Sequence, residues 1–263
     1  MKSMPSNRTK EKLLRGEAVF GCIMPYPDPA LVELMGVAGI DFVRFEGEHG
    51  PATLDQVEHC VRAAELFGVT PTARVPFNLP HEILRFLDRG VVGVTVPNVS
   101  TRAQAEAAVR AARHYPFGER GHNAGGRPSR YGAEGLTTAQ YYERLNEQTL
   151  VIALIESAEG MASAEAIATT PGVDAIDIGP SDLAQSLGLP PAGELERAVD
   201  RIVEIAVAAG KPVGVGNAFG FANGRRMRDL YAKGCRYFLG NTDSLFRHGA
   251  AAALDLMRET AAG

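Results

Sequence analysis

The feature that most restricts this chain is its rhythm: short apolar runs alternate with amphipathic segments from near residue 18 to the end of 263 residues. Apolar runs lie at Ala18–Met24, Phe42–Phe45, Thr70–Val75, Val91–Val96, Leu150–Ile155, Ala175–Ile178, Pro212–Val215 and Tyr237–Leu239. Each is too short for a buried helix and reads as a parallel strand covered on both faces. Helical segments separate them: Ala30–Ala38, Leu54–Leu66, His81–Asp88, Ala103–Arg113, Ala158–Thr169, Leu195–Ala209, Arg226–Lys233 and Thr242–Thr260. A polar helix at Asn7–Gly16 precedes the first strand, and Thr138–Glu147 follows a Gly/Pro/Arg-rich stretch at Tyr115–Gly135. Glycines 39, 68, 90, 172 and 234 stand just before strands, where a helix C-cap needs them. Eight strand–helix units in about 250 residues favour a closed (β/α)8 barrel over an open sheet. No linker breaks the pattern. A single α/β domain over 1–263 is expected, with 1–17 a helical arm and the last helix, 242–260, exchanged between subunits.

Composition removes several function classes. A net charge of −4 gives no broad positive field, so nucleic acid is not an expected partner. Leu150–Ile155 is far too short to cross a bilayer, and residues 1–17 lack the apolar centre of a signal peptide. A cytoplasmic enzyme without membrane contact is expected. Cys22, Cys60 and Cys235 form neither a CxxC pair nor a zinc spacing and read as buried free thiols.

In such a barrel the chemistry lies where strands end. Strand 2 runs into Glu46-Gly47-Glu48-His49, strand 3 ends in Arg74, strand 5 runs into Glu156-Ser157 and strand 6 into Gly179-Pro180-Ser181-Asp182. Converging polar side chains are costly unless paired or bound to a metal. Glu156 and Asp182, on adjacent strands, suit one hard cation, with substrate oxygens and water completing its shell. The plainer alternative is an arginine partner for Glu156 and a helix-capping role for Asp182. Lysine placement sharpens the chemistry. There are five, Lys2, Lys10, Lys12, Lys211 and Lys233, all in the N-terminal arm or just before strands 7 and 8. None is placed for a Schiff base, so an enolate made here needs a metal. Histidine is the side-chain type suited to proton transfer near neutrality, which makes His49 the acid/base candidate. The other five histidines read as helix, surface or loop residues.

The run Gly39-Ile-Asp-Phe-Val-Arg-Phe-Glu-Gly-Glu-His49 resembles the signature of the HpcH/HpaI class II 2-oxo-acid aldolases. Ala73-Arg-Val-Pro76, Leu87-Asp88, Val96-Pro97, Tyr115-Pro116, Arg120-Gly121, Ser129-Arg-Tyr131, Ile155-Glu156 and Ile178-Gly-Pro-Ser-Asp-Leu183 fit that family in order. The resemblance implies a barrel of the phosphoenolpyruvate/pyruvate-binding type and a divalent metal (Mg²⁺, Mn²⁺ or Co²⁺) held by Glu156 and Asp182, with no organic cofactor. It implies that Gly179, Pro180, Ser181 and Asp182 bind the substrate carboxylate through backbone N–H groups. Arg74 would steady the enolate oxygen, with His49, oriented by Asp88, as acid/base, and Glu46 and Glu48 in support. The implied reaction joins a metal-bound pyruvate enolate to an aldehyde, or cleaves a 4-hydroxy-2-oxo-acid, in a homo-oligomer, commonly a hexamer built as a trimer of dimers.

The chain departs from the family pattern in carrying Glu46 for Asp, Leu154 for Gln, a shorter turn after Tyr115 and no tryptophan. These departures keep open a biosynthetic condensation like that of citrate or macrophomate synthases. A degenerate, non-catalytic barrel is the third reading. Two loops stay open. Gly214–Gly220 is either an anion loop or tight packing, and Arg120–Arg130 is either a lid for an acidic substrate or a solvated, oligomer-contacting loop.

Overall fold

The computed structural model describes residues 6–216 and 224–262. Eight parallel strands close into a barrel in the order β1 to β8. They are β1 (Val19–Met24), β2 (Phe42–Glu46), β3 (Thr70–Arg74), β4 (Gly93–Val96), β5 (Leu150–Ile155), β6 (Ala175–Ile178), β7 (Val213–Val215) and β8 (Tyr237–Asn241). The first helix, α1 (Arg8–Leu14), precedes β1. The connecting helices are α2 (Pro29–Val37), α3 (Leu54–Phe67), α4 (Pro80–Asp88), α5 (Arg102–Ala112), α6 (Thr138–Gln148), α7 (Ala158–Ala162), α8 (Ala164–Ala168), α9 (Pro180–Ser186), α10 (Ala192–Ala208), α11 (Gly224–Ala232) and α12 (Thr242–Ala262). The expected barrel is therefore observed, and each expected strand lies within a few residues of its observed range. Expected helix Ala158–Thr169 is two pieces meeting at Ser163, and α9 is an added short helix.

The five glycines expected at helix ends all adopt positive φ, the left-handed backbone for which they were read. Capping boxes at Thr53/Gln56, Thr101/Gln104 and Thr137/Gln140 start three of the helices. The main apolar core lies between sheet and helices. A smaller cluster of Leu13, Val19, Phe42, Leu150, Ile152, Ala175, Tyr237 and Leu239 fills the barrel's lower lumen. Phe42 stacks on Tyr237 at 4.7 Å, and a Cβ at Gly21 would lie 2.2 Å from the Phe42 ring. Only glycine leaves that ring its place.

Helix α1 closes the N-terminal end of the barrel. Leu13 joins the lumen cluster, and the Asn7 amide donates to the carbonyls of Val92 and Gln148 at 3.0 and 2.8 Å. The three cysteines are buried free thiols, as expected. No described helix is long and apolar enough to cross a membrane. Most of α12 stands clear of the barrel, with Phe246, Leu256 and Met257 exposed.

Candidate active site

Side chains alternate across a strand, so Arg44 and Glu46 share the inner face of β2, Thr72 and Arg74 that of β3, and Ile152, Leu154 and Glu156 that of the β5 edge. Glu46, Arg74 and Glu156 thus meet at the C-terminal mouth of the barrel. Glu46 is 3% exposed and accepts from Arg74 Nε at 2.8 Å, with Nη2 2.7 Å away. Its other oxygen accepts the backbone N–H groups of Glu48 and His49 at 2.8 and 3.0 Å. One carboxylate therefore aims the arginine and folds the following loop. Burial works to raise the Glu46 pKa, but Arg74 and the two N–H groups prevail and hold it below the usual carboxylate range. The extra methylene relative to the family's aspartate spans both partners.

Glu48 Oε2 lies 3.1 Å from Arg74 Nη1, yet it is buried and has no hydrogen-bond partner among the described residues. Burial raises its pKa, partly offset by Arg74. Glu156, 4% exposed, accepts the Asn98 backbone N–H at 2.8 Å. Its pKa is pushed up to about 7, first by burial and then by the neighbouring charges of Glu48 and Asp182. A Cβ on Gly179 would lie 2.6 Å from Glu156 Oε2, so glycine is what lets β6 pass this carboxylate. Asp182 sits in the first turn of α9, whose N-cap Gly179 has no side-chain cap. The structure thus gathers Glu46, Glu48, Arg74, Glu156, Gly179 and Asp182 at one mouth. Asn98, held at φ 55, is a contributor that the motifs did not indicate, because it acts through its backbone.

His49 is on the same mouth but exposed, with Nε2 3.9 Å from Glu48 Oε2. Asp88 is not its partner within the chain. It ends α4, which carries the chain back to the start of β4, at the opposite end of the barrel. There Asp88 accepts from Arg120 at 3.2 Å and from Asn123 at 3.3 Å. The carboxylate beside His49 is Glu48. The Arg120–Arg130 stretch also lies at that far end, with Arg127 bonded to Glu65 on α3 at 2.6 Å, so it is no lid over this mouth. His114, expected at the surface or in a loop, is 1% exposed and stacked on Tyr142. Of the Gly214–Gly220 loop, residues 217–220 lie outside the described residues.

Charged groups thus gather at the mouth of a (β/α)8 barrel, with none of the described lysines among them. The chain belongs to the HpcH/HpaI aldolase/citrate lyase family, whose sequence model matches residues 20–234. A 5-keto-4-deoxy-D-glucarate aldolase of Shigella boydii is 36% identical over 82% of this chain and 84% of its own length. Among solved structures, an HpcH/HpaI aldolase/citrate lyase family protein from Burkholderia cenocepacia superposes with a TM-score of 0.87 at 30% identity, covering 96% of this chain and all of the other. The citrate synthase SbnG superposes with a TM-score of 0.83 at 29% identity, covering 97% and 98%.

Proposed function

We propose that this enzyme cleaves or forms a 4-hydroxy-2-oxo-acid, with pyruvate as one product and an aldehyde as the other. The carrying observation is Arg74, held by Glu46 and Glu48 beside the buried Glu156, which Asp182 neighbours closely enough to raise its pKa further. Among the described residues no three His, Cys, Asp or Glu side chains form a ready metal cage. The donors nevertheless fit a hard divalent cation: they are carboxylate oxygens, and Glu156 is buried with no described cation within salt-bridge distance, which raises its pKa to about 7. Glu156 and Asp182 would hold Mg²⁺, Mn²⁺ or Co²⁺, which supplies positive charge where the enolate oxygen develops.

The chain's own groups do the rest. Uncapped N–H groups at the start of α9, at Ser181 and Asp182, receive the substrate carboxylate, with Gly179 and Pro180 shaping the turn. Arg74, already aimed by Glu46, donates to the C2 oxygen as it gains charge. His49 takes the C4 hydroxyl proton, directly or through water, the C3–C4 bond breaks and the aldehyde leaves. Return of a proton to C3 then gives pyruvate.

A second reading, condensation, is favoured by one observation beside the SbnG likeness. Leu154 stands inward on β5 directly before the Glu156 layer, so no amide reaches the keto group from there. The exposed apolar residues of α12 support exchange of that helix between two copies within a homo-oligomer. The test is pyruvate release from a 4-hydroxy-2-oxo-acid, lost with EDTA and regained with Mg²⁺, Mn²⁺ or Co²⁺. A product formed only when a 2-oxo-acid and a second substrate are both present, with no cleavage, favours condensation. Turnover indifferent to EDTA refutes the metal assignment.

A further inference from the structure

The barrel lumen holds a charged pair that the chemistry above does not use. Arg44, in the middle of β2, and Asp177, in the middle of β6, have side chains 4% and 1% exposed and bond directly to one another. β2 bonds to β1 and β3, and β6 to β5 and β7, so the two strands are not neighbours in the sheet. The pair therefore crosses the lumen. Thr95 on β4 and the Tyr237 hydroxyl on β8 lie in the same layer. Arg44 Nε completes no hydrogen bond there, and the Tyr237 hydroxyl lies within reach of both Thr95 and Arg44. Four alternate strands thus contribute one polar layer, where barrels of this kind ordinarily place bulky branched apolar side chains.

Stability does not account for such a layer. Well-packed apolar residues in place of a buried ion pair are often neutral or stabilising, and each orphaned polar atom adds a cost. Position offers a better reason. With a strand period of two, Arg44 lies one inward step, about 7 Å, before Glu46, and Asp177 the same step before Gly179. β2 ends in Glu46, leads directly into Glu48 and His49 and, through Glu46, sets Arg74. β6 carries Gly179 and Asp182, and Glu156 packs against Gly179. The two strands hold the two halves of the site on facing walls of the barrel.

We propose that Arg44 and Asp177 are positioning residues, a strut across the lumen that sets the separation between the Glu46–Arg74 half of the site and the Glu156–Gly179–Asp182 half. This rests on the aldolase reading of those residues. The fork of the guanidinium matters as well as its charge, because a planar donor fixes direction where an ammonium does not. Misplacement of reacting groups by about 1 Å is enough to cost on the order of a hundredfold in rate.

The test uses the full-length enzyme with Arg44→Met and Asp177→Leu combined, and Arg44→Lys alone. The double variant is expected to fold with an unlowered melting temperature and to lose about 10- to 100-fold in kcat with KM changed less than about threefold. Arg44→Lys should lose less. Crystal structures should show the Arg74-to-Glu156 separation altered in the double variant. Wild-type kcat with that separation unchanged overturns the strut. If the double variant does not fold, Arg44→Lys decides: kcat lowered at constant KM supports the strut, and wild-type kcat refutes it. If the wild type performs no enolate chemistry with any metal, the aldolase reading fails, and the separation in the crystals still judges the strut.

Discussion

The two ends of this barrel treat charge in opposite ways. At the N-terminal end, Asp174 is matched on every side: Arg113 at 2.6 Å, Lys10 at 3.2 Å and the Val151 N–H at 2.7 Å. Lys12 pairs with Asp41 at 2.5 Å, and Asp88 with Arg120 at 3.2 Å. At the C-terminal mouth, Glu46 is matched, but Glu48 and Glu156 are left with raised pKa values and few partners. Closed electrostatics hold the fold together, and open electrostatics leave work for a ligand. The same eight strands serve both, because their ends face different neighbours.

The largest effect that sharpens this contrast is expected from Glu156→Gln or Asp182→Asn. Turnover should fall by roughly a thousandfold or more, given what charge stabilisation of a transition state contributes. Glu156→Gln should also raise the melting temperature, because it removes a buried, unneutralised charge. Retained turnover contradicts the metal assignment. Arg74→Ala comes next: hydrogen exchange at the pyruvate methyl should drop by about 10²- to 10³-fold. It should destabilise as well, since Glu46 is left buried without its partner. For His49→Ala, about a hundredfold loss in cleavage is expected with pyruvate affinity nearly unchanged. Equal losses in both would remove His49 from acid/base work.

Asp174→Ala opens the closed charge network at the N-terminal end of the barrel. It should cost about 3 kcal/mol in urea denaturation and leave kcat of the folded enzyme alone. A fall in kcat would mean that the ends are coupled.

The smallest effect is in pH. Burial, then the Arg120 charge, lowers the His114 pKa to about 4. A depressed histidine contributes stability that is present above about 6.5 and lost as pH falls toward 4, up to roughly 3 kcal/mol. Glu156, raised to about 7, works the other way: its unfolded form loses its proton first, so stability falls as pH rises from about 4.5 through 7. Melting curves against pH should flatten on the acid side in His114→Gln and on the neutral side in Glu156→Gln. Parallel curves for wild type and both variants would sink this division.

Much of this was legible in the sequence. Strands such as Leu150–Ile155 and Ala175–Ile178 are apolar runs with no competing helical period, and their ends carry Glu156 and Gly179 into view. Arg74 and Glu46 stand opposite in register on adjacent strands. What escaped had physical reasons. Asp88 follows a helix rather than a strand, so its place at the far end depends on chain direction, not on motif identity. Asn98 acts through an N–H that every residue but proline owns. Arg44 and Asp177 were visible as charges inside Phe-Val-Arg-Phe and Ala-Ile-Asp-Ile, but pairing across the lumen follows only from barrel closure.

The central claim is that Arg74, with a cation held by Glu156 and Asp182, makes an enolate of pyruvate at the open end of the barrel. Deuterium exchange into the pyruvate methyl in heavy water, followed by proton NMR, addresses it without needing the aldehyde. Exchange is expected with Mg²⁺, Mn²⁺ or Co²⁺ present, abolished by EDTA and by Glu156→Gln, and unaffected by Asp174→Ala. Exchange that survives chelation, or its absence with every one of these metals, contradicts the claim.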